Sequence, residues 1–323
     1  MAFRSTRSCE KDSQNNVMPT TPRSSAPEYA PFRAGPFRLS MGLERLDLRD
    51  WIEPDERLAE DLREKEHLLA ERHHDVFAAL PEAAAGSAEV LELLTAHLPA
   101  RFPALYRRAG TWLDNLVTGQ SWRLTDLPLH PLDLAGRLVQ EDLCLMQRDQ
   151  RTGVYRLVGA SVCFPTRWRL LEKLGQPVGT IHQPVPGYQE QLASTMDRFF
   201  DRLKVERPVW RLNWSLVDDP RLFQPSGHGR HERNTTITAT NAGEMVWLRM
   251  ERQTLRRLPR SWEVLFTIRV YVHPLRTLAT YPRRAAALAA AVRALPPAMQ
   301  QYKSLSPLRD AVLGWLDRIA ERI

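Results

Sequence analysis

Residues 141–164, EDLCLMQRDQRTGVYRLVGASVCF, decide the architecture. EDLCLMQRD and VYRLVGASVCF are strand-like runs flanking QRTG, whose glycine suits a short turn, so the stretch predicts a β-hairpin. A turn centred near Arg151 places Cys144 opposite a residue between Leu157 and Gly159. Cys163 then lies roughly four or five positions further along, about 15 Å away, too far for a disulfide.

On the C-terminal side, WRLLEKLG reads as a short helix stopped by Gly175. After the proline-rich IHQPVPG, a second helix is predicted from about Tyr188 to Leu203, burying Leu192, Met196, Phe199, Phe200 and Leu203. Three strand candidates follow: VWRLNWSLV from Val209, MVWLRMERQTL from Met245 and EVLFTIRVYV from Glu263. The last two face each other across a turn around Pro259. An Ala-rich helix from Arg284 to Leu295 comes next, then a final helix burying Leu308, Val312, Trp315, Leu316 and Ile319.

On the N-terminal side, apolar residues at helical spacing from Asp55 to Leu80 predict an amphipathic helix. A shorter helix is predicted from Ala88 to Leu98, before the Pro99 and Pro103 breaks. Residues 1–35 lack hydrophobic periodicity and predict a disordered tail, leaving 36–323 as a single domain with helical extensions at both ends. The element order is that of an α+β fold. A five-stranded antiparallel sheet with helices over one face is the PAS-like arrangement.

With 323 residues, 43% of them hydrophobic, the chain can bury a sizeable core. No apolar run approaches the roughly 20 residues that span a bilayer, and no targeting signal is read at the start. Three cysteines, Cys9, Cys144 and Cys163, form neither a disulfide framework nor a CxxC pair, which suits a reducing cytoplasm. The net charge of +7 is spread among acidic residues rather than clustered, and no nucleic-acid-binding motif appears. An anionic ligand or an acidic protein partner suits the charge equally well. Hydrolase and phosphotransfer motifs are also missing.

Five segments carry a family resemblance: VQEDLCLM from Val139, CFPTRWRLLEKLG from Cys163, IHQPVPGY from Ile181, WRLNWSL from Trp210 and RMERQTLRRLP from Arg249. In order and spacing they resemble the haem-binding α subunit family of haem-dependent oxidative N-demethylase, over roughly Pro36 to Leu295. The resemblance implies a PAS-type fold holding haem b. It also implies O2-dependent removal of a methyl group, as formaldehyde, from a small secondary amine such as dimethylamine. The chain has neither iron–sulfur cysteine spacing nor a GxGxxG motif, so the electrons are expected from a separate flavin or iron–sulfur reductase. The competing expectation is a haem-PAS sensor or small-ligand-binding protein without turnover.

A haem iron needs a rigidly presented axial side chain, most often His. His182 lies between Gly179 and the prolines Pro184 and Pro186, just ahead of a helix, and is the leading candidate for the metal. The other reading is that it only bonds a backbone carbonyl. His130, which precedes Pro131, is the rival ligand. His228 and His231 have HxxH spacing, but in a Gly-rich loop that reads as solvated rather than zinc-binding.

On the strand from Val209, Trp210, Leu212, Trp214 and Leu216 share one face, while Arg211, Asn213 and Ser215 share the other. That polar face is either solvent-exposed or lines a pocket, where Arg211 pairs with a propionate and Asn213 bonds a ligand. Lys173 is a further propionate candidate, or a solvated helix lysine. A turn centred at Arg260 sets Glu251 opposite Arg269 and Gln253 opposite Thr267, with Met250, Ile268 and Val270 on the reverse face. Two expectations follow for the pair: a surface ion pair, or a haem-facing one in which Arg269 sets the ionisation of Glu251 and Glu251 orients a cationic amine. A one-residue slip removes the pair.

Overall fold

The hairpin forms as β1 (Asp142–Arg148) and β2 (Tyr155–Ser161) in the computed structural model, which describes residues 27–227 and 234–323. Residues 1–26 of the expected tail lie outside the described residues, as do His228 and His231. A bulge between Leu145 and Met146 shifts the register, so Cys144 pairs with Ala160 rather than with a residue between Leu157 and Gly159. Cys144 and Cys163 are both free and buried.

The other three strand candidates become β3 (Val209–Val217), β4 (Trp247–Arg257) and β5 (Val264–Pro274). The order across the sheet is β2, β1, β5, β4, β3, with every pairing antiparallel. Short strands at Phe77–Ala79 and Glu44–Arg45 close the two edges, beside β2 and β3. The fold is mixed α and β, built on antiparallel sheets with helices.

The helix expected from Asp55 to Leu80 is cut short: α1 spans Leu58–Glu71, a separate turn follows at His73–Val76, and Phe77–Ala79 is strand. Pairing of Phe77 with Ser161 covers the open edge of β2, a tertiary gain that outweighs local helical periodicity. The next helix, α2 (Ala84–Arg101), runs through Pro99 in its last turn, held by the buried Val90, Leu94 and Leu98. A second, three-stranded sheet (Tyr106–Ala109, Trp112–Asn115, Ser121–Arg123) was not expected; it turns at Gly110 and Gly119, both at positive φ.

Between β2 and β3 lie α3 (Val178–His182), a turn at Tyr188–Gln191, and α4 (Ala193–Arg202), broken from that turn at Leu192. The C-terminal part forms α5 (Pro282–Ala294), α6 (Pro297–Tyr302) and α7 (Arg309–Ala320). Residues of α5 and α7, including Leu288, Val292, Val312 and Leu316, pack with Leu216, Leu248 and Met250 of the sheet. Leu143, Leu145, Val158 and Leu265 pack with Val90, Leu94 and Leu98 of α2. The segment from Pro27 also joins the core. Phe32 is buried against Trp214, its ring edge-on at 6.2 Å, and Tyr29 donates to Glu53 at 2.6 Å.

The β4–β5 register differs by one residue from the expected one. Arg257 pairs with Val264 and Leu258 N–H donates to the Glu263 carbonyl, so the turn centres between Arg260 and Ser261. Glu89 of α2 fixes this even-length loop by accepting the N–H groups of Arg260 and Ser261 at 2.9 and 2.8 Å. Glu251 therefore faces Val270 and Gln253 faces Ile268, while Arg269 pairs with Arg252 and points to the reverse side. The expected Glu251–Arg269 pair does not exist. Arg269 is instead fully buried beside Asp55 (2.9 Å) and Asp61 (3.4 Å).

Candidate functional site

Period-two alternation sends Arg211 and Asn213 of β3, Glu251, Gln253 and Leu255 of β4, and Phe266 and Ile268 of β5 to one side of the sheet. There they line a cavity of about 580 Å³, within the range typical of cofactor and small-molecule sites. Cys144, Met146 and Leu157 continue this wall. Ile181, Leu192, Met196, Phe199 and Phe200 close the opposite one, so the apolar stripe read along residues 188–203 faces the cavity.

His182, Lys173, Arg211, Asn213, Glu251 and Gln253, all singled out from sequence, line this one cavity. His130 does not. Its Nδ1 accepts Leu132 N–H at 3.2 Å, capping the helical turns at Pro131–Leu138, and its ring packs on Phe77. Arg269, on the reverse face, is also outside.

His182 ends α3, stacked on the Tyr188 ring at 5.1 Å. Its Nδ1 is 2.8 Å from the Val178 carbonyl oxygen. A carbonyl only accepts, so Nδ1 carries the proton and the lone pair is on Nε2, the tautomer an iron or other metal binds. Burial holds the His182 pKa below its ordinary value, helped by Lys173 and Arg211, which keeps the ring neutral. The bond to a backbone carbonyl expected for His182 is present, and it orients the ring.

Glu251 is held by three donors: Thr166 Oγ1 to Oε1 at 2.6 Å, and Gln253 Nε2 and Asn213 Nδ2 to Oε2 at 2.8 and 3.3 Å. Behind Thr166 stands the fully buried Arg249. Its Nε donates to Thr166 Oγ1 at 2.9 Å, and its other nitrogens donate to the carbonyls of Phe164, Arg221 and Leu222. Burial lowers the Arg249 pKa to about 10, opposed by Glu251 and Asp142.

Arg211 has the opposite character. Its Nε is buried without a hydrogen-bond partner, and burial pulls its pKa down against the attraction of Glu251. A desolvated guanidinium in this state is costly unless an anionic ligand completes it. The Tyr188 hydroxyl, also without a hydrogen-bond partner, has its pKa pushed up to about 12 by burial. Lys173 lies 4.7 Å over the Trp168 ring, and burial lowers its pKa too.

Sequence reasoning missed Thr166, Arg249, Lys303 and the segment from Pro31 to Leu43 that forms part of the cavity lining. Lys303, just after α6, donates from Nζ to the Trp214 carbonyl at 2.7 Å and to Asn213 Oδ1 at 3.3 Å. Burial brings its pKa down to about 8. Thr166 and Arg249 carried a signal as members of the family segments CFPTRWRLLEKLG and RMERQTLRRLP; nothing periodic marks Lys303.

Among the described residues no group of three or more His, Cys, Asp or Glu forms a metal cluster, whereas a macrocyclic iron needs only an axial side chain. No described helix is long and apolar enough to cross a membrane. A family model described as "Haem-dependent oxidative N-demethylase, alpha subunit-like" matches residues 42–313.

Proposed function

The chain belongs to the haem-dependent oxidative N-demethylase, alpha subunit-like family, and from that premise we propose that the cavity holds haem b and serves oxidative N-demethylation of a small secondary amine of the dimethylamine type. The observation that carries the reading is His182, whose Nδ1 is tied to the Val178 carbonyl while the ring lines the cavity. The residues fit the cofactor. The apolar walls suit a macrocycle, His182 Nε2 suits its iron, and the orphaned Arg211 Nε suits a propionate. Lys173 is the second propionate partner.

When bound, the haem supplies the redox centre at which O2 is reduced and the N-methyl group oxidised. Overall, one N-methyl group, one O2, two electrons and two protons give formaldehyde, the demethylated amine and water. The electrons come from a separate flavin or iron–sulfur reductase. Glu251 accepts the amine N–H, with Gln253, Asn213 and Thr166 holding the carboxylate in place. The apolar side chains of the cavity exclude water from the reacting methyl group.

We read the fold as PAS-like, supported by the five long antiparallel strands and by the helices between the second and third of them. A reducing cytoplasm suits the two buried free thiols.

The absorption spectrum and a formaldehyde assay test this function. A Soret band is expected in the purified protein, together with amine-dependent formaldehyde release once a reductase is supplied. A protein without a Soret band overturns the haem reading. A Soret band without turnover on any small N-methylamine marks a haem sensor instead. Sustained turnover with NADPH and no reductase overturns the external electron supply.

A further inference from the structure

The cavity is basic. Arg33, Arg38, Arg167, Lys173, Arg211 and Lys303 line it, against Glu251 as the one carboxylate among the described lining residues. Arg167 is offset by Asp218 at 3.4 Å. Two propionates on Arg211 and Lys173 and the charge of Glu251 still leave Arg33 and Arg38 uncompensated. A bare alkylammonium entering this field meets a net excess of positive charge, set by Arg33 and Arg38 at the exposed side of the cavity.

Glu251 and Lys303 are coupled through a single side chain. The Asn213 carboxamide accepts from Lys303 Nζ at its Oδ1 (3.3 Å) and donates from its Nδ2 to Glu251 Oε2 (3.3 Å). An amide has its two polar atoms on one carbon, so it holds a negative and a positive group side by side at the cavity wall. Neither group is saturated by the contacts described. An ammonium has three N–H donors, and Lys303 uses two, on Asn213 and Trp214. A carboxylate offers about four acceptor sites, and Glu251 fills three, from Thr166, Gln253 and Asn213.

We propose that Lys303 and Glu251, set side by side by Asn213, form a receptor for a zwitterion, so that the substrate is an N-methylated amino acid whose carboxylate meets Lys303 and whose methylated nitrogen meets Glu251. The inference rests on the N-demethylase reading and narrows its substrate from a plain amine to one bearing a carboxylate. The carboxylate turns the repulsion between Lys303 and an incoming ammonium into an attraction on the same ligand. N-methylglycine, which is dimethylamine with a carboxylate on one methyl group, is the smallest such molecule.

Equilibrium binding to the protein as purified, with its haem content recorded from the absorption spectrum and binding read by calorimetry, tests this with N-methylglycine, its methyl ester and dimethylamine. N-methylglycine is expected to bind about ten- to a hundredfold more tightly than the other two. The preference should collapse toward unity in Lys303→Met and persist in Lys303→Arg. Equal binding of the three probes, no binding of N-methylglycine, or a preference that survives Lys303→Met overturns the proposal. The ester comparison needs no variant, so a poorly folding Lys303→Met leaves the test intact. Calorimetry responds to the zwitterion whether or not the sample has a Soret band, so failure of the haem reading is seen separately.

Discussion

Thr166 Oγ1 donates to Glu251 Oε1 at 2.6 Å and accepts from Arg249 Nε at 2.9 Å, so one hydroxyl joins a fully buried guanidinium to the carboxylate of the cavity. Thr166→Val keeps the shape and removes both bonds, leaving Arg249 Nε without its acceptor. A loss of about 1–3 kcal/mol in urea unfolding is expected, with a raised amine KM because Glu251 is freed to turn. Thr166→Ser should preserve both quantities. Wild-type KM in Thr166→Val would place the amine away from Glu251.

His182→Ala should abolish or greatly weaken haem retention, measured as haem per polypeptide after purification. Added imidazole should restore part of the ferric spectrum by filling the vacated position. His130→Ala should keep full haem content, since that ring caps a helix outside the cavity. Normal haem content with an unchanged ferric spectrum in the His182 variant would sink the ligand assignment.

Arg211 and Arg269, both candidates from sequence for a haem-facing position, should behave in opposite ways. Arg269→Met removes the buried cation beside Asp55 and Asp61, which keep their bonds from Gln140 and the Arg57 side of the cluster, and should cost about 3–5 kcal/mol by denaturant titration. Arg211→Met removes a desolvated cation whose Nε has no hydrogen bond, so the haem-free protein should lose little stability or gain some. Haem affinity should fall in Arg211→Met and hold in any Arg269→Met protein that remains folded. The reverse pattern would return Arg269 to the site.

Glu263 sets a pH dependence of stability. Burial, with Glu89 adding to it, raises its pKa from 4.5 to about 7, opposed by the bond from Gln147 Nε2. Between these values the folded chain keeps a proton that the unfolded chain has released. The stabilisation is therefore present in full below about pH 4.5 and is lost as pH rises through about 7. Glu263→Gln should gain about 1–3 kcal/mol relative to wild type on going from pH 5 to pH 8. Thermal melts at the two values check this, and a difference independent of pH would rule out the buried carboxyl as its source.

Much of this protein was legible in its sequence because the relevant forces are local. Alternation along 209–217 separates the Trp210 side from the Arg211 side whatever surrounds the strand, and it brings Arg211 and Asn213 to one wall. The helical spacing of Leu192, Met196, Phe199 and Phe200 likewise marks a single apolar stripe. Contacts between distant segments decided the rest. The parity of the β4–β5 turn is held by Glu89, far away in sequence, and a change of one residue sends Arg269 to the reverse face. Phe77–Ala79 leaves its helical pattern because β2 offers an unpaired edge. Thr166 and Lys303 reach the site only because the chain folds back, Lys303 meeting Asn213 across 90 positions of sequence. Sequence periodicity reports which side of its own element a residue occupies; tertiary packing alone sets which element lies opposite, and so which charges meet in the cavity.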